Sequence, residues 1–273
     1  MLKDTITMTK EVRETGKIME INVNSTTTSS VLARVENLIS HNDRFYIVTP
    51  NPELILMAQR NKKLKIALNS ANLSIPDGIG LKLADPKLEI IKGRELFMEL
   101  IRLAEKKNWK IFLLGGINDE AARAASKLKL QDPNLKIEYN KGPRLDNDAK
   151  AISDIDKKIE AEVIVRINEF KPQFLFVAFG NPKQEIWIHG NLSKLSIGGA
   201  MAVGGAFRYV GGLSPLPPKW MVQFGLEWLW RLISEPRRVA RVINAVVIFR
   251  RVARVINAVV IFPWRVFVYK LFT

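Results

Sequence analysis

Short apolar runs in this chain stop repeatedly at glycine, proline or asparagine turns and then give way to helix-like stretches. Residues 45–49 (FYIVT) run into Pro50-Asn51-Pro52 and then residues 53–61. Residues 110–114 lead into Gly115-Gly116 and the alanine-rich residues 119–130. Residues 174–179 lead into Gly180-Asn181-Pro182 and residues 183–192, and residues 200–203 end at Gly204-Gly205. Strands alternating with helices predict an α/β fold with a mostly parallel, Rossmann-like sheet and flanking helices. Ligands in such folds sit beyond the carboxyl ends of the strands, where these turns fall.

A hydrophobic share of 47% is enough to fill a sizeable core. The absence of cysteine excludes a disulfide scaffold, thiolate metal sites and a cysteine nucleophile. Residues 1–20 form a polar extension of mixed charge without the apolar core of a signal peptide, so a cytoplasmic location is expected. Residues 21–218 are then the α/β catalytic core and residues 219–273 a basic, aromatic, helical appendage. The last 55 residues hold a net charge of +8 out of +15, and four of the six tryptophans. Cations mixed with aromatic and aliphatic side chains suit an anionic membrane surface. Nucleic acid is the rival partner for such charge, but apolar runs such as residues 245–249 argue against it.

Within the appendage, Trp220, Phe224, Glu227, Trp228 and Arg231 recur at helical spacing, and Pro236 punctuates the run. Residues 237–249 (RRVARVINAVVIF) then repeat unchanged as residues 250–262. On one continuous helix the two copies lie roughly 140° out of phase, so the repeat does not extend a single stripe. No apolar run reaches the length of about 18 residues expected of a spanning helix. The expectation is a helix lying on the bilayer.

Asn51-Pro52-Glu53 reads as a helix start, with Asn as N-cap, Pro at the first helical position and Glu in the first turn. Asn181-Pro182-Lys183-Gln184 reads as another, with Gln184 in the capping-box position. Capping accounts for both asparagines, yet the same geometry presents helix N-termini to an anion such as a nucleotide diphosphate. Thr49 and Gln184 add a hydroxyl and an amide. Ile75-Pro76-Asp77-Gly78 reads as a tight turn, and as chemistry it places one carboxylate on a loop between apolar segments. The triplets Asp146-Asn147-Asp148 and Asp154-Ile155-Asp156 lie in a Lys-rich stretch that reads as solvated surface. His41 and His189 have no metal-ligand spacing, and no Walker A or G-x-G-x-x-G fingerprint occurs. No metal or other cofactor is therefore expected.

In combination these blocks resemble the WecG/TagA/CpsF glycosyltransferase family over residues 21–241. The resemblance rests on Val48-Thr49-Pro50-Asn51-Pro52-Glu53, Ile75-Pro76-Asp77-Gly78-Ile79-Gly80, Phe112-Leu113-Leu114-Gly115-Gly116 and Gly180-Asn181-Pro182-Lys183-Gln184-Glu185. Val203-Gly204-Gly205-Ala206-Phe207, Pro218-Lys219-Trp220-Met221 and Gly225-Leu226-Glu227-Trp228 complete it. It implies an inverting, metal-independent transfer of N-acetylmannosamine, or a related sugar, from a UDP-sugar donor. The implied acceptor is undecaprenyl-diphosphate-linked N-acetylglucosamine, in wall-teichoic-acid-like polymer synthesis. It further implies a peripheral protein on the cytoplasmic face of the cell membrane, a homo-oligomer formed through the core, and no nucleic-acid partner.

By the same resemblance Asp77 is the catalytic base, Thr49, Asn51 and Gln184 line the pocket, and Arg231, Arg238 and Arg241 reach the donor diphosphate. Ile90 stands where the family usually has arginine, so Lys92 or Arg94 takes that part, or the acceptor differs. Arg208 stands where aspartate is common, and Leu216 where arginine is usual. Two rival readings follow: a membrane-associated sugar-nucleotide binding protein inactivated by the Ile90 change, and a nucleic-acid-binding protein using the basic tail.

Overall fold

A computed structural model describes residues 15–215 together with Pro218, Met221 and Trp230. Apart from Met221 and Trp230, the expected helix after Lys219 lies outside the described residues, as do the tandem repeat, Leu216, and Arg231, Arg238 and Arg241. The chain divides into two units, Met1–Leu216 and Pro217–Thr273, and the first of these is described below.

It opens with a hairpin of β1 (Thr15–Ile18) and β2 (Ile21–Asn24), which crosses the boundary expected between a polar extension and the core. Met19 and Glu20 both take positive φ, as a two-residue hairpin turn with the right twist demands. The chain continues through α1 (Thr28–Ser40), β3 (Phe45–Val48), α2 (Pro52–Ala58), α3 (Lys62–Asn69) and β4 (Leu73–Ser74). After a 3-10 turn at Ile79–Leu83 come α4 (Gly93–Lys107), β5 (Lys110–Gly115), α5 (Glu120–Gln131) and β6 (Lys136–Asn140). The remainder is α6 (Asp154–Phe170), β7 (Phe174–Ala178), α7 (Lys183–Asn191), β8 (Gly199–Ala202) and α8 (Ala206–Val210).

The six strands β3 to β8 form one parallel sheet in the order β4-β3-β8-β7-β5-β6. Both faces are covered, which is why the central strands are apolar without a break. Phe45 and Ile47 of β3 join Phe97, Leu113, Phe176, Met201 and Phe207 on one face. Tyr46 and Val48 join Phe112, Leu114, Val177, Trp187 and Ala202 on the other. On the first face Phe97 meets Phe176 edge-on with centroids 4.7 Å apart, which locks α4 to the middle of the sheet. The chain runs outward from β3 to β4 and, in the other direction, from β5 to β6, and later fills the middle with β7 and β8. The loops after β3, β4, β7 and β8 therefore gather at one edge, as the rule for open parallel sheets requires of a ligand crevice.

Candidate active site

Two of the expected residues meet at a third that sequence reasoning passed over. Ile75 N–H donates to the Val48 carbonyl (2.9 Å), Asp77 N–H to the Pro50 carbonyl (2.9 Å) and Ile91 N–H to the Pro76 carbonyl (3.1 Å). These bonds tie the loop after β4 to the loop after β3 and to the entry of α4. Gly78 turns the loop at a φ of 95°, a left-handed conformation that favours glycine. Thr49 and Asp77 are thereby brought to Gly93, the first residue of α4. A methyl group on Gly93 would lie 3.0 Å from Thr49 Oγ1 and 3.3 Å from Asp77 Oδ2. Hydroxyl and carboxylate thus flank a notch that only glycine leaves open.

The N-terminus of α4 lies at the same notch. This helix has fifteen residues, and the side chain of its N-cap, Lys92, makes no capping hydrogen bond; the positive end of the helix dipole lies here and favours negative charge. Lys92 and Arg94 bracket Gly93. Lys92 Nζ lies 3.6 Å from a Glu95 carboxylate oxygen, and the Arg94 guanidinium rests 5.2 Å above the Tyr209 ring of α8. Ile90, in the position of the expected arginine, packs against the apolar core; its side chain serves the fold.

Asn51 caps α2 as its sequence context predicts: its Oδ1 accepts from Leu54 N–H at 2.8 Å, with Pro52 at the first helical position. The second expected cap is corrected. The Asn181–Pro182 peptide is cis, α7 begins only at Lys183, and no side chain caps it. Asn181 Oδ1 instead accepts from Gln184 Nε2 at 2.8 Å. The other Nε2 proton goes to Glu185 Oε1 at 2.8 Å. Gln184 Oε1 accepts from the backbone N–H of Gly180 (3.2 Å) and of Gly204 (3.1 Å). Both donors and both acceptor positions of the amide are therefore engaged within the protein, and a ligand contact would share or replace one of these bonds. Gln184 joins the β7–α7 loop to the β8–α8 loop. Only β8 separates β7 from β3, so the Gln184 and Thr49 loops stand about 10 Å apart at the usual strand spacing.

Glu185 is buried, 1% exposed, and its Oε2 has no hydrogen-bond partner. Burial pushes its carboxyl up to about 7 in spite of the hydrogen bond from Gln184. Sequence reasoning missed it because an acid in a first helical turn reads as an exposed partner of the helix dipole.

The second Asp-x-Asp triplet is also corrected. Asp156 is buried rather than solvated, and accepts from Ser153 Oγ, from Arg144 N–H and from the Arg144 guanidinium. The Ser153 hydroxyl, with Arg144, holds the Asp156 carboxyl down at about 2. Asp154 pairs with Lys157, and Asp148 with Lys63, on the surface. Among the described residues no three His, Asp or Glu side chains gather as metal ligands do. Arg208, another departure from the expected pattern, donates to buried Glu120 at 2.8 Å and so ties α8 to α5.

The sequence pattern of the Glycosyl transferase WecG/TagA/CpsF family matches residues 16–260. The chain belongs to this family. It is therefore a glycosyltransferase by membership, on the α/β scaffold described above. It is similar to the N-acetylglucosaminyldiphosphoundecaprenol N-acetyl-beta-D-mannosaminyltransferase of Bacillus subtilis (strain 168), with 32% identity across 81% of this chain and 84% of that protein. The enzyme of the same name from Bacillus spizizenii is 30% identical over the same shares. The one from Staphylococcus aureus (strain MW2) is 27% identical across 85% of this chain and 89% of its own length. Among the described residues of this family member no helix is long and apolar enough to cross a membrane.

Proposed function

We propose that the chain transfers N-acetylmannosamine from a UDP-linked donor to undecaprenyl-diphosphate-linked N-acetylglucosamine, with inversion and without a metal ion. The observation that carries this reading is the notch at Gly93. There a carboxylate and a hydroxyl from neighbouring loops face the dipole end of a long helix, in a chain similar throughout its core to enzymes of that name.

Asp77 is the general base. Its carboxylate takes the proton from an acceptor sugar hydroxyl as that oxygen attacks the anomeric carbon of the donor. The carbon–oxygen bond to UDP breaks on the opposite face, and the diphosphate leaves with the electron pair. Thr49, one side of the same notch, orients the reacting sugar by hydrogen bonding. The negative charge growing on the leaving group meets the N-terminus of α4; the family resemblance gives Arg231, Arg238 and Arg241 a part in binding the donor diphosphate. Lys92 and Arg94 add cations for the acceptor diphosphate. Asn51 fixes the entry to α2 beside Thr49, and Gln184 keeps the loops after β7 and β8 in register with it.

The lipid-linked acceptor places the reaction at a bilayer. We take the basic, tryptophan-rich residues 219–273 as the part that docks on the anionic cytoplasmic face, with the protein peripheral and built into cell-wall polymer synthesis. The test is transfer from UDP-N-acetylmannosamine to a short-chain lipid-diphosphate N-acetylglucosamine in the presence of EDTA, with the anomeric configuration of the product read by NMR. Acceptor-dependent, EDTA-resistant formation of the inverted product supports the proposal. Donor binding without transfer would leave a sugar-nucleotide binding protein instead.

A further inference from the structure

The Gln184 amide holds two loops together only while it points one way. Its oxygen faces two N–H groups, those of Gly180 and Gly204, and its nitrogen faces two oxygens, those of Asn181 and Glu185. A half-turn of the amide would oppose donor to donor and acceptor to acceptor at all four contacts. Of the two oxygens facing the nitrogen, Glu185 Oε1 belongs to a carboxyl in the core. It is held in place by complete burial, in a helix whose neighbouring Trp187 and Ile188 are equally buried. The second oxygen, Oε2, makes no hydrogen bond, so an isolated polar atom is kept in the core at a cost that an apolar residue of the same shape would not incur.

We infer that Glu185 is a positioning residue for the transfer reaction: its hydrogen bond to Gln184 Nε2 holds that amide against the two backbone N–H groups it bridges, and so sets the spacing of the Gly180 and Gly204 loops beside the site. The kinetic part of this inference rests on the proposed transferase activity; the structural part does not. Gly180 takes a φ of 78° and Gly204 a φ of 53°. Both loops thus turn at glycine, and the Gln184 amide bonds to each of them. Gln184 and Glu185 at the start of α7 act as one device.

The test compares Glu185→Met with Glu185→Gln in the full chain. The methionine keeps the volume and removes the acceptor; the glutamine keeps an acceptor oxygen. The first readout is hydrogen exchange at the Gly180 and Gly204 amides, which needs no activity. Exchange at both should accelerate in Glu185→Met and stay near wild type in Glu185→Gln, with exchange in β5 and β7 unchanged in both. The second readout is kinetic. Glu185→Met should lose about tenfold or more in kcat, the scale of a misplaced site, while KM for the donor moves little; Glu185→Gln should restore most of the turnover. Gln184→Met, which deletes the amide and leaves Glu185 in place, should give the same exchange pattern and serves if Glu185→Met does not fold. Wild-type protection in Glu185→Met, lost protection with unchanged kcat, or a Glu185→Gln chain as slow as Glu185→Met each overturns the inference. If the wild type transfers no sugar, the transferase reading fails and the exchange data alone decide whether Glu185 holds the loops.

Discussion

Replacing Glu185 with Gln should make the stability of the fold less dependent on pH, by an amount that follows from its burial. The carboxyl titrates at about 7 in the folded protein against an ordinary 4.5. A raised carboxyl pKa means that the folded state holds its proton more tightly than the unfolded state. Below pH 4.5 both states are protonated and the residue adds no pH-dependent cost. Between 4.5 and 7 the unfolded chain has released the proton while the native one keeps it, so stability falls as pH rises. Above 7 both are ionised and the full penalty is present. At about 1.4 kcal/mol per pH unit, the gap amounts to about 3 kcal/mol. Glutamine cannot titrate. Urea unfolding followed by tryptophan fluorescence from pH 4.5 to 8.5 should therefore show the wild type losing about 3 kcal/mol relative to Glu185→Gln across that interval, then running parallel to it. The new amide adds an N–H2 where Oε2 has no partner, which shifts the variant by a constant of about 1–3 kcal/mol but not its slope. Parallel curves over the whole range would refute the burial argument.

Gly93→Ala places a methyl group 3.0 Å from Thr49 Oγ1 and 3.3 Å from Asp77 Oδ2. Although alanine is the better helix former, turnover should fall by about 10- to 100-fold, since displacements under an ångström at reacting groups have effects of that size; a thermal midpoint equal to or above wild type alongside the slow kinetics would separate the site from the fold. Asp156→Asn removes the carboxylate that receives Ser153 and Arg144. Because its pKa is depressed to about 2, the stability it supplies is present above the ordinary value near 3.8 and is lost as pH falls toward 2. The variant should melt below wild type at neutral pH and converge with it in acid, as calorimetry can follow.

Much of this arrangement is legible in the sequence because parallel strands covered on both faces must be apolar throughout. Residues 45–49, 110–114 and 174–179 have that character, and the turns after them carry Thr49, Asn51, Gly180 and Gln184. The strands that escape notice are those with little apolar material: β4 spans two residues, and β6 alternates charge with a single deeply buried Ile137. The hairpin at Thr15–Asn24 hides in a polar stretch because its turn uses Met19 and Glu20 at positive φ, where Asn and Gly are the usual signal. Asp156 looks like surface from its Lys-rich neighbours, and only the fold brings the backbone and side chain of Arg144 onto it. Gly93 shows the limit most clearly. Its spacing marks nothing, and its importance comes from Thr49 and Asp77, respectively 44 and 16 positions away in the chain.

We propose that Asp77 removes the acceptor proton at the Gly93 notch. The direct measurement is acceptor-dependent UDP release by Asp77→Asn, with EDTA present and donor binding measured on the same preparation. Turnover should fall by about 10²–10⁴, the contribution of a positioned general base, while the donor binds as it does to wild type. An Asp77→Asn chain that turns over at the wild-type rate would contradict it.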